Sequence, residues 1–185
     1  MRKANPLTNF VSLHELSDMT KDFFPGAKGA IFSPCGTYRY ALWRIWSPAV
    51  KPLMVLGVNP SRAGAVDNDN TVVRCIGYAV MWGLGGLLMG NPFAFCDTHQ
   101  FSLRSAPDRI GPDNDLWLER MRDHAGMHLA AWGNNAEIDM ERIATVRAMF
   151  PKLYTLGFTQ NGHPKHPLRL PKTLQPILWE EAKAA

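Results

Sequence analysis

Apolar residues in this chain fall into short runs separated by polar and Gly/Pro-rich stretches. Runs of strand length span Leu53 to Val58, Leu87 to Phe95, Met127 to Gly133 and Pro151 to Gly157. Apolar runs of this length, bounded by turn residues, indicate buried strands. Tyr38 to Trp46 is aromatic-rich and alternates Arg39 and Ala41 against Tyr40 and Leu42, which predicts an antiparallel or edge strand. Between the runs the pattern changes to a helical one. Val72, Ile76, Ala79, Val80 and Gly83 follow a period of about 3.6 residues. That predicts a helix over 71–82, capped by Asp69, Asn70 or Thr71 and closed by Gly83. Further helices are predicted over 113–125 and 136–150, and short ones over 14–24 and 172–185. Residues 31–37 read as a turn and 98–112 as a loop. Residues 158–168 are too rich in Gly and Pro for regular structure.

Strands that alternate with helices predict an α/β protein. The expected architecture is a three-layer α/β/α sandwich with a short, mainly parallel central sheet. A single domain is expected over 1–185, with 1–30 as an N-terminal extension and 31–185 as the core. Two strand runs end in Asn-Pro, at Asn59-Pro60 and Asn91-Pro92, because proline cannot donate to a ladder. Open α/β sheets bind ligands at the carboxyl ends of their strands. The polar residues that follow each run, Asn59, Asn91, Trp132-Gly133 and 157–166, are therefore the candidate site.

Composition narrows the class. A chain of 185 residues with 46% hydrophobic and 19% charged residues has the balance of a globular protein. The longest apolar stretch, 79–89, is broken by Gly83, Gly85 and Gly86, and is short of the roughly 18 residues that span a membrane. The first residues lack the apolar segment of a signal peptide, so a cytoplasmic location is expected. Cys35, Cys75 and Cys96 are odd in number and widely spaced, which argues against a disulfide framework or a zinc cluster and for buried free thiols. The formal net charge is +4. From Arg142 to Trp179 there is no acidic residue, while Arg142, Arg147, Lys152, Lys165, Arg169 and Lys172 are basic, which makes this stretch a candidate phosphate-facing surface.

The order of motifs carries a resemblance. Gly57-Val-Asn-Pro-Ser61, Leu87-Leu-Met-Gly-Asn91, Leu129-Ala-Ala-Trp-Gly-Asn-Asn-Ala136 and His163-Pro-Lys-His-Pro-Leu168 resemble, in that order, motifs of the uracil-DNA glycosylase superfamily. They are similar to its water-activating loop (in the version with Asn), its base-reading strand end, its Leu-Trp-Gly strand and its His-Pro-Ser-Pro-Leu loop. From about Cys35 onward the chain also resembles a family of bacterial and phage proteins with a domain of unknown function. That pattern here includes Cys35-Gly-Thr-Tyr-Arg-Tyr40, Asp69-Asn-Thr71, Arg74, Trp82-Gly83 and Gly111-Pro-Asp-Asn-Asp115.

The resemblance implies a DNA glycosylase-like enzyme that acts on the N-glycosidic bond of a modified or unmodified pyrimidine, in DNA or in a nucleotide. Such chemistry needs a positioned water, a stabilised oxocarbenium-like transition state and a held leaving base. Asn59 would hold the water, with Asp69 or Asp67 supplying a carboxylate. The alternative is that Asn59 shapes the turn before Pro60 and Asp69 caps a helix. Asn91 offers a donor and an acceptor to a base edge, and Phe93 or Phe95 a stacking face. His166 and His163 would donate to the leaving base. Lys165 and Arg169, with Ser61 and Arg62, would contact the substrate and its phosphates. Ser61 lacks the Gly-x-Ser-x-Gly turn of a nucleophile. Two histidines three apart with Asp69 suggest a metal site, but Pro164 and the missing third ligand argue against it, so no metal or cofactor is expected. The rival reading is a binding module on the same fold that holds a nucleotide or modified base without cleaving it.

Overall fold

β3 (Leu53–Leu56) is buried along its whole length and lies at the centre of the molecule. The computed structural model describes residues 26–60, 64–96 and 100–180. Around β3 a seven-stranded sheet forms from β1 (Lys28–Phe32), β2 (Arg39–Ile45), β4 (Gly86–Gly90), β5 (Met127–Ala130), β6 (Tyr154–Thr155) and β7 (Ile177–Leu178), in the order β1-β2-β4-β3-β5-β6-β7. The helices are α1 (Asn70–Met81), α2 (Gln100–Ser105), α3 (Asn114–His124) and α4 (Met140–Ala148).

The sheet is mixed, which corrects the expectation of a mainly parallel one. β4, β3, β5 and β6 pair in parallel, while β1–β2, β2–β4 and β6–β7 pair antiparallel. The edge strands were the ones hidden in the sequence. β1 begins at Lys28, inside the stretch read as an extension, and it includes Ile31 and Phe32, which were read as a turn. Its hold is non-local. A Cβ at Gly29 would sit 2.1 Å from the Trp43 ring, so the glycine is where the indole packs on the strand. β7 replaces the start of the predicted terminal helix and pairs with β6 through Tyr154 and Thr155. α2 lies in the segment read as a loop. The helix predicted over 136–150 is split: a 3₁₀ helix covers Gly133–Ile138, and Asp139 then caps α4 by accepting from the Arg142 N–H at 2.9 Å. The helix predicted over 14–24 lies outside the described residues.

Alternation along β3 feeds two cores. Met54 and Leu56 pack with Leu88, Trp117, Leu118, Met121, Ile143 and Val146 against α3 and α4. Leu53 and Val55 pack with Leu87, Leu129, Val72, Cys75, Tyr78 and Ala79 against α1. Helix-sized apolar faces thus cover both sides of the sheet, which explains why the central strands read as continuous apolar runs. The cysteines are unpaired. Cys75 is buried as expected, but Cys35 is exposed. No helix among the described residues is long and apolar enough to cross a membrane.

Not every base of the stretch reaches the surface. Arg142 is buried, bonds the Pro92 carbonyl and pairs with Asp115. Arg147 lies over the Trp179 ring and near Glu180, and Lys152 lies over Tyr154. Lys165, Arg169 and Lys172 are the bases of that stretch left without such an assignment.

Candidate functional site

The parallel order β4-β3-β5-β6 reverses at β3: the chain leaves β3 to form β4 on one side and then crosses to β5 on the other. A crevice opens at such a switch point, outside the carboxyl ends of the strands. Here it holds a cavity of about 170 Å³ lined by Val58 and Asn59 after β3, Asn91 after β4, Trp132 and Asn135 after β5, and His166 beyond β6. Asp69, Thr71 and Val72 close it from the start of α1, and Arg39 and Met89 from the sheet. Four residues read from the sequence as one site, Asn59, Asp69, Asn91 and His166, therefore share one cavity.

Each is placed by its own local device. Asn91 is 3% exposed, and among the described residues its side-chain amide has no protein hydrogen bond. Its turn is held from behind: the Asn114 Nδ2 donates to the carbonyls of Asn91 and Pro92 at 3.0 Å each, and Arg142 Nε donates to Pro92 at 2.9 Å. Gly57 lies alongside, and a Cβ there would come within 3.1 Å of the Asn91 Nδ2. Asp69 caps α1, its carboxylate accepting from the Val72 N–H at 2.8 Å. The loop before it is stapled by Arg44 of β2. That guanidinium is buried and donates to the Asn68 side chain and to the carbonyls of Gly64 and Asp67. Asp67 uses its backbone in this way and does not line the cavity.

His166 is held by α1. Arg74, Tyr78 and Trp82, one turn apart, donate to the carbonyls of Leu168 and Leu170, of Pro171 and of Leu174. This ladder fixes the path of the chain just after His166. The His166 Nδ1 accepts from the Leu168 N–H at 3.4 Å, which puts the proton of the neutral ring on Nε2. Although the side chain is exposed at the cavity rim, the packing around the ring disfavours its charged form. Desolvation lowers its pKa below the ordinary value, with the Asp69 carboxylate opposing. The folded state therefore takes up this proton less readily than the unfolded chain. Stability is unaffected above the ordinary histidine pKa of about 6.5 and falls as the pH drops through it. A melting series from about pH 7.5 to 5.5 is expected to fall less steeply in His166→Asn than in the native chain. Equal slopes would show that the ring is not responsible.

Gly133 has φ +63°, and its N–H donates to the Pro164 carbonyl at 2.9 Å. A Cβ there would lie 3.5 Å from the His166 Cβ. Gly133→Ala is expected to cost about 1–2 kcal/mol from left-handed backbone strain and to disturb His166. A denaturation midpoint unchanged from the native chain would refute that.

Other candidates lie elsewhere. His163 is 7% exposed, and its Nε2 is 3.2 Å from Glu137 Oε1, away from the cavity lining. His163 precedes the bridged Pro164 in the chain, and His166 follows it. Phe93 is fully buried in the first core, and Phe95 packs edge-on to Tyr38. Lys165 packs near Gly157, and Arg169 is exposed in the 3₁₀ turn Pro167–Arg169. Ser61 and Arg62 lie outside the described residues. Among the described residues no group of His, Cys, Asp and Glu is arranged to hold a metal.

Trp132, expected at this edge, forms a wall of the cavity, which also contains residues that sequence reasoning did not assign to it: Arg39, Thr71 and Asn135. Arg39 is 4% exposed, and its pKa is lowered by burial and supported by Cys96 and Asp69. Two arginines, Arg39 and Arg44, in an otherwise apolar strand were the available signal.

Residues 39–168 match the model of a family described as protein of unknown function, DUF1643. No curated protein and no solved structure matches the chain.

Proposed function

We propose, on the premise that the chain belongs to the DUF1643 family of proteins of unknown function, that the cavity receives a nucleobase and that the protein hydrolyses its N-glycosidic bond. The observation that carries this reading is the meeting of Asn59, Asp69, Asn91 and His166, from separate segments, around one cavity. The volume of about 170 Å³ is well below the roughly 300 Å³ and more of pockets for drug-sized ligands, which favours a single planar ring with the sugar left outside. Helices on both faces and the parallel order β4-β3-β5-β6 support a three-layer α/β/α reading of the uracil-DNA glycosylase kind.

In this reading a base turned out of its stack enters the cavity, and the Asn91 amide bonds its edge. Asn59 holds a water behind the sugar carbon. The C–N bond breaks, and its electron pair leaves with the ring nitrogen. The water oxygen bonds the sugar carbon, and its proton passes by way of the Asp69 carboxylate to the departing base. His166, as a neutral Nε2–H donor, stabilises charge on the base as it develops. Lys165, within the loop, and Arg169, just after it, lie near phosphates of a DNA strand.

A second reading, a binding module that does not cleave, is favoured by one observation. Asp69 already serves as a helix cap, and the water position is an amide, so no carboxylate is dedicated to catalysis. Incubation with duplex and single-stranded oligonucleotides carrying uracil, hydroxymethyluracil or glucosylated pyrimidines, followed by alkaline cleavage, separates the two. Strand scission that Asn59→Ala and His166→Ala both lose is the expected result. Tight binding of one modified strand without scission would favour the module, and neither binding nor scission would sink the DNA reading.

A further inference from the structure

The outer side of α1 carries no charge. Between Asp69 and Asp97 the only charged residue is Arg74, and its guanidinium is turned aside to the carbonyls of Leu168 and Leu170. A helix laid on a sheet ordinarily turns charged and polar residues to water on its outer side. Here Val72, Cys75, Tyr78 and Ala79 pack inward. The outward side is Val73, 56% exposed, Gly77, Val80, 58% exposed, and Met81. Spacings of four and three residues put them on one stripe. Exposed Trp46 donates its Nε1–H to the Leu84 carbonyl just beyond the helix and extends the stripe at that end. A helix that is apolar on every side belongs in an interior, and an apolar patch of this kind marks an interface.

The charges at its two ends identify what covers the stripe. Asp67 is exposed just ahead of the amino end of α1. At the carboxyl end two exposed lysines stand: Lys51, which shares the surroundings of Gly126 with Leu84, and Lys172, next to the Pro171 carbonyl that accepts from the Tyr78 hydroxyl. A stripe with an acid at one end, bases at the other and an uncharged middle is complementary to itself about a two-fold axis. An antiparallel copy sets Asp67 of each chain against the lysines of the other and opposes the two helix dipoles. A parallel copy would set acid against acid and base against base. Gly77, mid-stripe, fits this arrangement. A glycine inside a helix is destabilising, and a Cβ there would meet nothing within 4 Å, so no packing within the chain requires it. Its bare backbone lets a second helix come close. We propose that the outer face of α1 binds the same face of a second copy of this chain, the two helices antiparallel and crossing at Gly77. This holds whatever the cavity binds.

The test is sedimentation of the full-length chain over about 1 to 100 µM, where a reversible dimer shows as a mass that doubles with concentration. Val80→Lys, which sets a charge against the apolar stripe of the other copy, is expected to weaken association at least about 30-fold. Its melting temperature at the dilute end, where the native chain is also monomeric, is expected to stay native, because the side chain points to solvent there. Asp67→Lys alone, and Lys51→Glu with Lys172→Glu alone, are each expected to associate about tenfold more weakly, and an equimolar mixture of the two proteins to form dimers of native affinity. Gly77→Cys in a Cys35→Ser background is expected to give a disulfide-linked dimer on oxidation. A native chain that stays monomeric at about 100 µM overturns the proposal and leaves the stripe to a different protein or to residues 1–25 of the same chain. A dimer that Val80→Lys leaves intact overturns it as well, because the contact then lies elsewhere. A mixture of the charge variants that does not recover overturns the antiparallel arrangement.

Discussion

Asn91→Ala is expected to lower strand scission, or tight binding of the modified strand, by about 10²- to 10³-fold while leaving the melting temperature within about 2 °C of the native chain. The side chain is 3% exposed and lines the cavity, and neither of its polar atoms is among the buried ones left without a partner. Truncation therefore removes a group that faces the cavity and costs only packing beside Gly57. The anchors of the turn are backbone carbonyls, which the substitution retains. Asn91→Asp keeps the shape and the acceptor but removes the donor, and it is expected to lose activity as well. If Asn91→Ala melts several degrees lower and keeps its activity, the amide is structural and the base-reading role is wrong.

This site was readable because its placement follows simple rules. An apolar run that ends in Asn-Pro puts a polar side chain at a strand's carboxyl end, and it did so for both Asn59 and Asn91. Asp69 was legible as a cap, but that it also faces the cavity depends on Arg44 pulling the loop of residues 64–68 onto β2. The two histidines were not separable in the sequence. Their positions are set by Gly133, Glu137 and the ladder on α1, all distant in the chain. The alternation places Arg39 on one face with Ala41 and does not bring it to the site, because the bulge where Phe32 pairs with Arg39 is a property of a strand pair and leaves no mark on one strand's alternation. The edge strands β1 and β7 failed for a related reason: five and two residues carry little pattern of their own, and pairing supplies the rest.

The last prediction concerns the support behind Asn91. Arg142→Met is expected to destabilise the fold by about 2–3 kcal/mol, below the roughly 3–5 kcal/mol of a fully buried pair, because the partner Asp115 is 53% exposed and keeps its water. What is lost is the charged donor to the Pro92 carbonyl, a buried acceptor in a turn that proline keeps out of any ladder. Asn114→Ala is expected to cost about 1–2 kcal/mol, moderated because its Oδ1 is itself buried without a partner. Both side chains donate to the same carbonyl oxygen, so only the double variant leaves it without a donor, and it should lose about 1 kcal/mol more than the sum of the two. Denaturation midpoints at constant slope measure this directly. Because the shared carbonyl belongs to the turn that presents Asn91, each single variant should also lose more activity than its fraction unfolded accounts for. Additivity within about 0.3 kcal/mol would mean that the turn is not jointly held, and that Asn91 owes its position to Gly57 and β4 alone.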